Sequence, residues 1–557
     1  MLKKILREVQ KNKKAPMWFA VLVLGAALAL LLFLNLFYWD HWLESDMAAE
    51  MIFSKLLFEG NEFLATTKWY YSTEFRVLYT QIFMEPLFAL TNSWHLIRSI
   101  TNFLTYGLLL WSYFFVCKPL GIQKSTAILT SAILLLPLSE TFMTHVQLGN
   151  TYMPHMIIVF FAFGMFLRLC GKPRQKNARN ITLLLGYMLL CLICGISGIR
   201  YLLAIQVPLG IASIIYLMKS DVWNSLRNDY SMSKIRFLFS QERLAYIKYS
   251  VIGAFLALIG YGLNIVFISP NFRFQTYDVT NFIGVYQGIF FERVQDTFGS
   301  LLMLFGYIAD RAFLSLRGVV TICAFCFLGV IFFVTLRTKR LLRIRQQSDD
   351  LESKTLFAHR KFLVIFFMVA FAVNTFVFVF THSTIVPRYY LTVFQFALPI
   401  LAVYYHEEKQ TPDKFLITIL LCFCLVLTSA KVSYSLITTD KNEDKRAVAA
   451  FLQEEDYAFG YATYDHANIM QELTNGNVQI ANLWDIGGMN FFHWSSPVAY
   501  YRDDYYEGSV FLLVSQEEGE DYGDIPVLQA GTLIYEDAYY RVYLYENQHA
   551  ILQYQSP

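Results

Sequence analysis

The feature that most constrains this chain is a series of apolar stretches, each long enough to cross a lipid bilayer. A helix needs roughly 20 apolar residues to span a hydrocarbon core about 30 Å thick. Only 16% of the residues are charged and 56% are hydrophobic, whereas a soluble protein carries about 25% charged residues. We therefore predict an all-α polytopic membrane domain with about eleven transmembrane helices, at 17–38, 98–117, 125–141, 152–170, 181–198, 200–218, 249–268, 317–336, 362–380, 389–405 and 414–434.

The distribution of Lys and Arg predicts the orientation, because cytoplasmic loops are enriched in these cations. A cytoplasmic N-terminus puts the basic loops inside and the C-terminal part outside. The loops on the cytoplasmic side are then 118–124, 171–180, 219–248, 337–361 and 406–413. The first span follows six Lys/Arg and precedes no small-residue cleavage site, so it is interpreted as a retained anchor.

Two further apolar stretches, 76–92 and 298–310, do not fit as crossings. Counting either one alone would invert the charge pattern of every loop after it. Both are therefore predicted to be interfacial or re-entrant helices at the outer rim.

The C-terminal part of the chain differs sharply in composition from the part before it. From Asp440 onward there are 5 Lys/Arg and 20 Asp/Glu, whereas 40 Lys/Arg and 23 Asp/Glu precede it. Helix-like runs alternate there with strand-like runs, which is typical of an α/β domain. We predict a transmembrane domain over 1–438 and a small extracytoplasmic α/β domain over 439–557, acting as an acceptor surface or as a spacer. The helix-like and strand-like runs are 445–455, 465–473, 509–515 and 539–545.

All eight cysteines lie in or beside predicted spans, so no disulfide framework holds the exported parts. The pairs Cys191-x-x-Cys194 and Cys323-x-x-Cys326 are interpreted as core residues rather than as metal ligands, since neither has a further His or Cys set nearby. No Asn-x-Ser/Thr sequon lies in a predicted outer segment. These features favour a bacterial plasma membrane.

The segment 39–97 is too long to be a simple connector between the first two spans. Ser45 is predicted to N-cap a helix that Gly60 ends. Asp46 lies at the start of this helix, just beyond the first span and in a loop rich in Trp and Tyr, which stack on sugar rings. Most acidic residues of the loop are interpreted as solvated surface groups, namely Glu44, Glu59 and Glu62.

Together these features resemble the C-type glycosyltransferase superfamily (GT-C). The resemblance rests on Asp46 shortly after the first span, on the Arg388-Tyr389 pair before a late span, and on the soluble domain at the outer C-terminus. It implies a GT-C-like fold that transfers a sugar from a polyprenyl-phosphate donor. The acceptor would be an extracytoplasmic glycan or cell-surface polymer, and the reaction would take place at the outer face of the lipid bilayer.

The implied chemistry needs a carboxylate to take the proton of an acceptor hydroxyl and to stabilise an oxocarbenium-like transition state. It also needs cations that hold two phosphate oxygens, which favours Arg over Lys. The site residues implied for this chain are Asp46 as base with Glu50 and Glu74 in reserve, Arg388, Tyr389, Arg200 and Arg76 for the donor phosphate, and Trp69, Tyr70, His145 and Gln147 for the substrates.

Two other functions fit the composition, namely a transporter or lipid flippase, and a surface-polysaccharide polymerase or ligase. Transporters place ionisable residues near the bilayer midplane, whereas the candidates here cluster at the outer ends of spans. The long first loop and the C-terminal domain argue against a polymerase. No cofactor is assigned, and a divalent metal stays open because metal dependence varies within the superfamily. The chain has no nucleic-acid-binding or phosphate-loop motif.

Overall fold

A computed structural model of the protein describes residues 15–171, 178–218, 242–274, 281–284, 288–309, 312, 315–344, 351–518 and 525–555. Within these residues eight helices are long and apolar enough to cross a membrane. The chain is thus a multi-pass membrane protein. The eight helices are Ala15–Phe37, Trp94–Cys117, Met153–Cys170, Ala178–Ile196, Glu242–Leu263, Leu316–Ile344, Leu351–Phe380 and Thr411–Thr438.

The basic segment before residue 15, most of the predicted loop 219–248 and Arg345 lie outside the described residues. Eight of the eleven predicted spans correspond to the long helices. The other three are shorter or broken.

The span predicted at 125–141 is a bent helix pair. Its halves, Lys124–Leu135 and Glu140–Leu148, meet at an angle of 98°. Pro137 lies between them, and a proline without an N–H cannot continue the first half. Ser139 then caps the second half, because its hydroxyl accepts a hydrogen bond from the N–H of Phe142 at 3.0 Å.

The spans predicted at 200–218 and 389–405 are also irregular. The first is the shorter apolar helix Leu202–Met218, which opens with a π-helical turn. The second is divided into three short helices. Arg200 and Arg388 therefore lie in irregular turns at the starts of these segments instead of inside long helices. The three short helices are Pro387–Tyr390, Leu391–Phe394 and Ala397–Glu407.

The long first loop forms the helix Ser45–Glu59, which Gly60 ends as predicted. The prediction of Ser45 as N-cap is wrong by one position, since Glu44 occupies it. The Ser45 hydroxyl donates instead to the carbonyl of Tyr464, at 2.8 Å. The two stretches predicted as interfacial contain the short helix Gln81–Leu87 and the last seven residues of the helix Ile289–Leu304.

In chain order the strands of the described residues are β1 Trp69–Tyr71, β2 Arg273–Phe274, β3 Phe459–Thr463, β4 Gln479–Asp485, β5 Asn490–Phe491, β6 Ser496–Pro497, β7 Val510–Ser515, β8 Thr532–Glu536 and β9 Tyr540–Tyr545.

The C-terminal region is an α/β unit whose six-stranded sheet has the order β5-β4-β3-β7-β9-β8. Strands β4, β3 and β7 are parallel, and β9 runs antiparallel to both β7 and β8. The helices of this unit are Glu443–Glu454, Tyr464–Leu473, Pro526–Ala530 and Gln548–Leu552.

Successive side chains of a strand point to opposite faces of the sheet, and β7 shows this directly. Val510, Leu512 and Val514 pack into one hydrophobic cluster. Phe511 and Leu513 pack into another cluster on the opposite face. The sheet is therefore covered on both sides, as the mixture of helices and strands predicts.

The first loop and the C-terminal unit are joined by backbone pairing and by a buried ion pair. Strand β1 lies between β2 and β6 in a second, three-stranded sheet. The Arg98 guanidinium donates to both carboxylate oxygens of Glu472, each at 2.6 Å. These contacts place the helix Tyr464–Leu473 directly against the helix Ser45–Glu59.

Candidate active site

Asp46 lies in the first turn of the helix Ser45–Glu59, at the junction with the C-terminal unit. Its Oδ1 accepts a hydrogen bond from the Tyr464 hydroxyl at 2.7 Å. Its Oδ2 is 3.9 Å from Nη2 of Arg388. The side chain is 41% exposed, so one oxygen is anchored while the other faces a cation and remains accessible.

Arg388 belongs to the 3-10 turn Pro387–Tyr390, in which Pro387 occupies one of the first positions. Its Nη1 is 3.2 Å from Nε2 of His145. Burial acts against its charge, but the neighbouring Tyr152 and Asp46 raise the pKa of Arg388 above its ordinary value. The guanidinium is therefore held in its charged form beside the Asp46 carboxylate.

Arg200 lies in the same cluster of charged and aromatic side chains as Asp46 and Arg388, and it has a carboxylate partner. Its Nε is 2.6 Å from Oε1 of Glu74. The guanidinium carbon lies 4.9 Å from the ring centroid of Tyr152 and 5.2 Å from that of Tyr389. Such cation–π contacts stabilise the charged form. Burial alone would lower the pKa of Arg200, but Glu74 and the two rings raise it above its ordinary value.

Arg76 forms an ion pair with Glu50 and lies over the ring of Tyr79, 4.7 Å from its centroid. Burial raises the pKa of Glu50, and the charge of Arg76 opposes that shift. The Glu50 side chain is only 10% exposed. Glu50 and Glu74 thus each hold an arginine.

The three predicted phosphate-binding arginines are therefore not equivalent. The guanidinium groups of Arg76 and Arg200 are bonded to carboxylates, whereas the contact of Arg388 with Asp46 is longer than a hydrogen bond. Arg388 consequently has donors available for an anion, and a phosphate there would face Asp46 directly.

The predicted aromatic residues Trp69 and Tyr70 point to opposite sides of β1, as alternation along a strand requires. Trp69 is buried and lines a small cavity together with Glu50, Glu74 and Arg76. The Tyr70 ring instead stacks on His493, with the centroids 4.4 Å apart. Trp69 is thus brought to the cluster, and Tyr70 is not.

The predicted substrate-binding residues His145 and Gln147 also point to different faces of their helix. They lie in the π-helical turn Met143–Leu148, and residues two apart on a helix do not share a face. His145 contacts Arg388, and its Nδ1 is 3.2 Å from the Thr151 hydroxyl. Gln147 is fully buried inside the helical domain. The substrate-binding role predicted for Gln147 therefore finds no support in its position.

Sequence reasoning missed two residues of the cluster, Tyr464 and Glu44. Tyr464 is 418 positions from Asp46, and no local pattern connects the two. Glu44 was interpreted as a solvated group, but burial raises its pKa to about 7, with Lys441 opposing that shift and Asp46 adding to it. Its position two residues before Asp46 was the available signal.

An apolar cavity of about 100 Å³ lies within the helical domain next to this cluster. Leu391 lines it and directly follows the turn that carries Arg388, and Met156 lines it one residue after His155. Its wall is almost entirely hydrocarbon, so the cavity suits an apolar chain whose polar end reaches Arg388.

The described residues contain no group of three or more His, Cys, Asp or Glu side chains placed to hold a metal ion.

No protein-family model matches the sequence, and no curated protein matches it. The fold is similar to ArnT from Cupriavidus metallidurans bound to undecaprenyl phosphate, with a TM-score of 0.48, 12% identity and coverage of 97% of this chain and 99% of that chain. It is also similar to an oligosaccharyltransferase from Archaeoglobus fulgidus in complex with zinc and sulfate, with a TM-score of 0.44, 11% identity and coverage of 88% and 67%.

Both TM-scores are below 0.5 and both identities are 12% or less, so neither likeness identifies the family or the function of this chain.

Proposed function

We propose that the protein is an integral-membrane glycosyltransferase that moves a sugar from a polyprenyl-phosphate donor to an extracytoplasmic glycan or cell-surface polymer. The observation that carries this proposal is the approach of Asp46 Oδ2 to Arg388 Nη2, at 3.9 Å. A general base and a phosphate-binding cation thus lie side by side, near an apolar cavity.

In the proposed reaction Asp46 takes the proton of an acceptor hydroxyl while that oxygen attacks the anomeric carbon of the donor. The bond between the anomeric carbon and the phosphate oxygen breaks, and the electron pair leaves with the lipid phosphate. The hydrogen bond from Tyr464 anchors Oδ1 and leaves Oδ2 to accept the proton.

Arg388 is proposed to bind the phosphate as it leaves. A guanidinium stays charged and can donate two parallel hydrogen bonds to phosphate oxygens. The adjoining apolar cavity would take the polyprenyl chain nearest the phosphate. Tyr389 completes this end of the pocket, and its ring packs flat on Phe378.

Glu50, Glu74, Arg76 and Arg200 are proposed to support the pocket rather than to react. Their two ion pairs keep both charges of each pair compensated in a largely buried setting. Their arrangement fixes the loop that follows Ser45–Glu59 beneath Asp46. Trp69 closes the same side.

The proposed setting is a bacterial plasma membrane with a cytoplasmic N-terminus and an extracytoplasmic domain over 439–557. Support for this orientation comes from the basic loops at one end of the helices and the acidic C-terminal part at the other. The donor would then be used on the outer leaflet.

The direct test is Asp46→Asn, which keeps the size and hydrogen-bonding shape of the side chain but removes its basicity. Sugar transfer in membranes supplied with labelled polyprenyl-phosphate sugar should fall by about 10²–10⁴-fold, the usual contribution of a general base. The protein should still insert and fold, because its Oδ1 contact is retained.

Glu59→Gln is the matched control. Glu59 lies at the far end of the same helix, is exposed, and forms an ion pair with Lys55, so its substitution should leave transfer unchanged. Full transfer activity of Asp46→Asn would overturn the proposed reaction.

A further inference from the structure

Three aromatic side chains form an open shelf on the C-terminal unit: Trp484, Phe492 and Trp494, which we call the aromatic shelf. The Trp484 and Phe492 rings are 5.0 Å apart, and Phe492 stacks on Trp494 at 5.8 Å with an interplanar angle of 7°. Trp484 is 68% exposed. A large aromatic ring left in solvent beside a stacked pair suggests a ligand-binding surface.

The shelf is next to the proposed active site. The Phe492 ring packs edge-on against Tyr464, with the centroids 5.4 Å apart, and the Tyr464 hydroxyl donates to Asp46. Tyr464 therefore contacts both the shelf and the proposed base. Ser495, which follows Trp494, lines the small cavity that contains Glu50.

The segment carrying the shelf is fixed in place on both sides. At one end β4 is a central strand of the six-stranded sheet, and at the other β6 pairs with β1 of the first loop. The carbonyl of Trp494 also accepts a hydrogen bond from the Asn482 amide at 2.9 Å. The shelf is thus held rigidly over the junction, and a bound ring would lose little affinity to ordering of the protein.

The geometry points to the aromatic shelf as the binding site for a sugar ring of the acceptor glycan, which it orients so that a hydroxyl faces Asp46. This inference rests on the proposed function and names the acceptor's chemistry. The surrounding region from Asp440 onward has 20 Asp/Glu against 5 Lys/Arg. Such a field repels a polyanion, so the acceptor segment on the shelf is a neutral carbohydrate chain.

The test compares Trp484→Ala with Trp484→Phe in membranes from a strain lacking the native protein. The acceptor is the envelope polysaccharide isolated from that strain, and the donor is labelled polyprenyl-phosphate sugar. Loss of one stacking face should raise the acceptor KM of Trp484→Ala about 3- to 10-fold, with the donor KM unchanged. Trp484→Phe, which keeps an aromatic face, should recover most of that loss.

Tyr539→Ala is the control, because Tyr539 is 59% exposed in the same unit but lies at the β8–β9 end of the sheet. Its kinetics should equal those of the unaltered protein. An unchanged acceptor KM for Trp484→Ala, or an equal rise in the donor KM, would overturn the inference.

A binding measurement separates this inference from the proposed reaction. In full-length Asp46→Asn, which is inactive under the proposed function, adding Trp484→Ala should weaken binding of the same labelled polysaccharide by about 3- to 10-fold. If Asp46→Asn is active, the proposed reaction fails. If it is inactive and the added substitution leaves the polysaccharide Kd unchanged, only the role of the shelf fails.

Discussion

Arg98 and Arg388 contact neighbouring residues at the start of the helix Ser45–Glu59, but they differ in exposure and in the partners that they bond. Arg98 is 1% exposed, bonds both oxygens of Glu472 and donates to the carbonyl of Met47 at 3.0 Å. Arg388 is 30% exposed and stands 3.9 Å from Asp46, the residue before Met47.

The comparison distinguishes an arginine that stabilises the structure, Arg98, from an arginine that is proposed to bind a ligand, Arg388. Most N–H donors of Arg98 are bonded to Glu472 and to the carbonyl of Met47. These bonds hold the C-terminal unit against the helical domain. Arg388 stands beside the Asp46 carboxylate without a hydrogen bond to it. The first arrangement positions the helix Ser45–Glu59, and the second can use that position for binding.

The largest effect that would test this difference is the loss of stability expected for Arg98→Met. Removing one partner of a buried ion pair leaves the other charge uncompensated and costs about 3–5 kcal/mol. The free energy of unfolding of the detergent-solubilised protein measures this. Arg541→Met, which breaks a half-exposed pair with Glu536, should cost at most about 1 kcal/mol. Equal losses for both variants would remove the distinction.

Arg388→Lys should impair use of the donor and leave stability unchanged, which is the opposite of the effect expected for Arg98→Met. A lysine keeps the charge but cannot donate two parallel hydrogen bonds, so kcat/KM for the lipid-phosphate donor should fall by about 10- to 100-fold, the range for a lost hydrogen bond to a charged group. Unfolding should be unaffected. Arg317→Lys, at an exposed position on another helix, is the control. A loss of stability with donor use intact would make Arg388 a structural residue like Arg98.

The smallest expected effect is on the pH dependence of stability and concerns Glu44. Its carboxyl is largely buried, but no arginine of the described residues bonds both of its oxygens as Arg98 does for Glu472. Burial raises its pKa from 4.5 to about 7 in the folded protein. Below pH 4.5 the group is protonated in both states and has no effect on stability. As pH rises toward 7 the unfolded state ionises first, so the folded state loses stability, and above 7 the penalty is constant.

Glu44→Gln removes this penalty. The variant should match the unaltered protein at pH 4 and should exceed it by on the order of 2 kcal/mol at pH 8, as measured by thermal unfolding across that range. Glu59→Gln, exposed at the other end of the helix, is the control. A pH-independent difference for Glu44→Gln would contradict the burial of this carboxyl.

Much of the architecture could be predicted because its causes are local. Apolar runs of sufficient length predicted the eight long helices, and alternation with turns predicted strands β7 and β9 nearly to the residue. The broken segment at Pro137 was predicted as one span, because its hydropathy is continuous even though the backbone is not. The ring of Tyr70 stacks on His493, away from Asp46, and Gln147 is buried inside the helical domain. The direction of each side chain depends on the residue at which its short strand or π-helical turn begins, and hydropathy does not determine that residue.

The sequence by itself determined the membrane class, the acidic C-terminal unit and the presence of an acidic residue just past the first span. Only the tertiary structure decided that Arg388 stands beside Asp46 without a hydrogen bond to it, that Tyr464 anchors Asp46, and that Phe492 packs between Tyr464 and Trp484. Hydropathy and periodicity act over a few turns of chain. Pairings such as Arg98 with Glu472, 374 residues apart, arise only when distant helices pack and their buried charges have to be compensated.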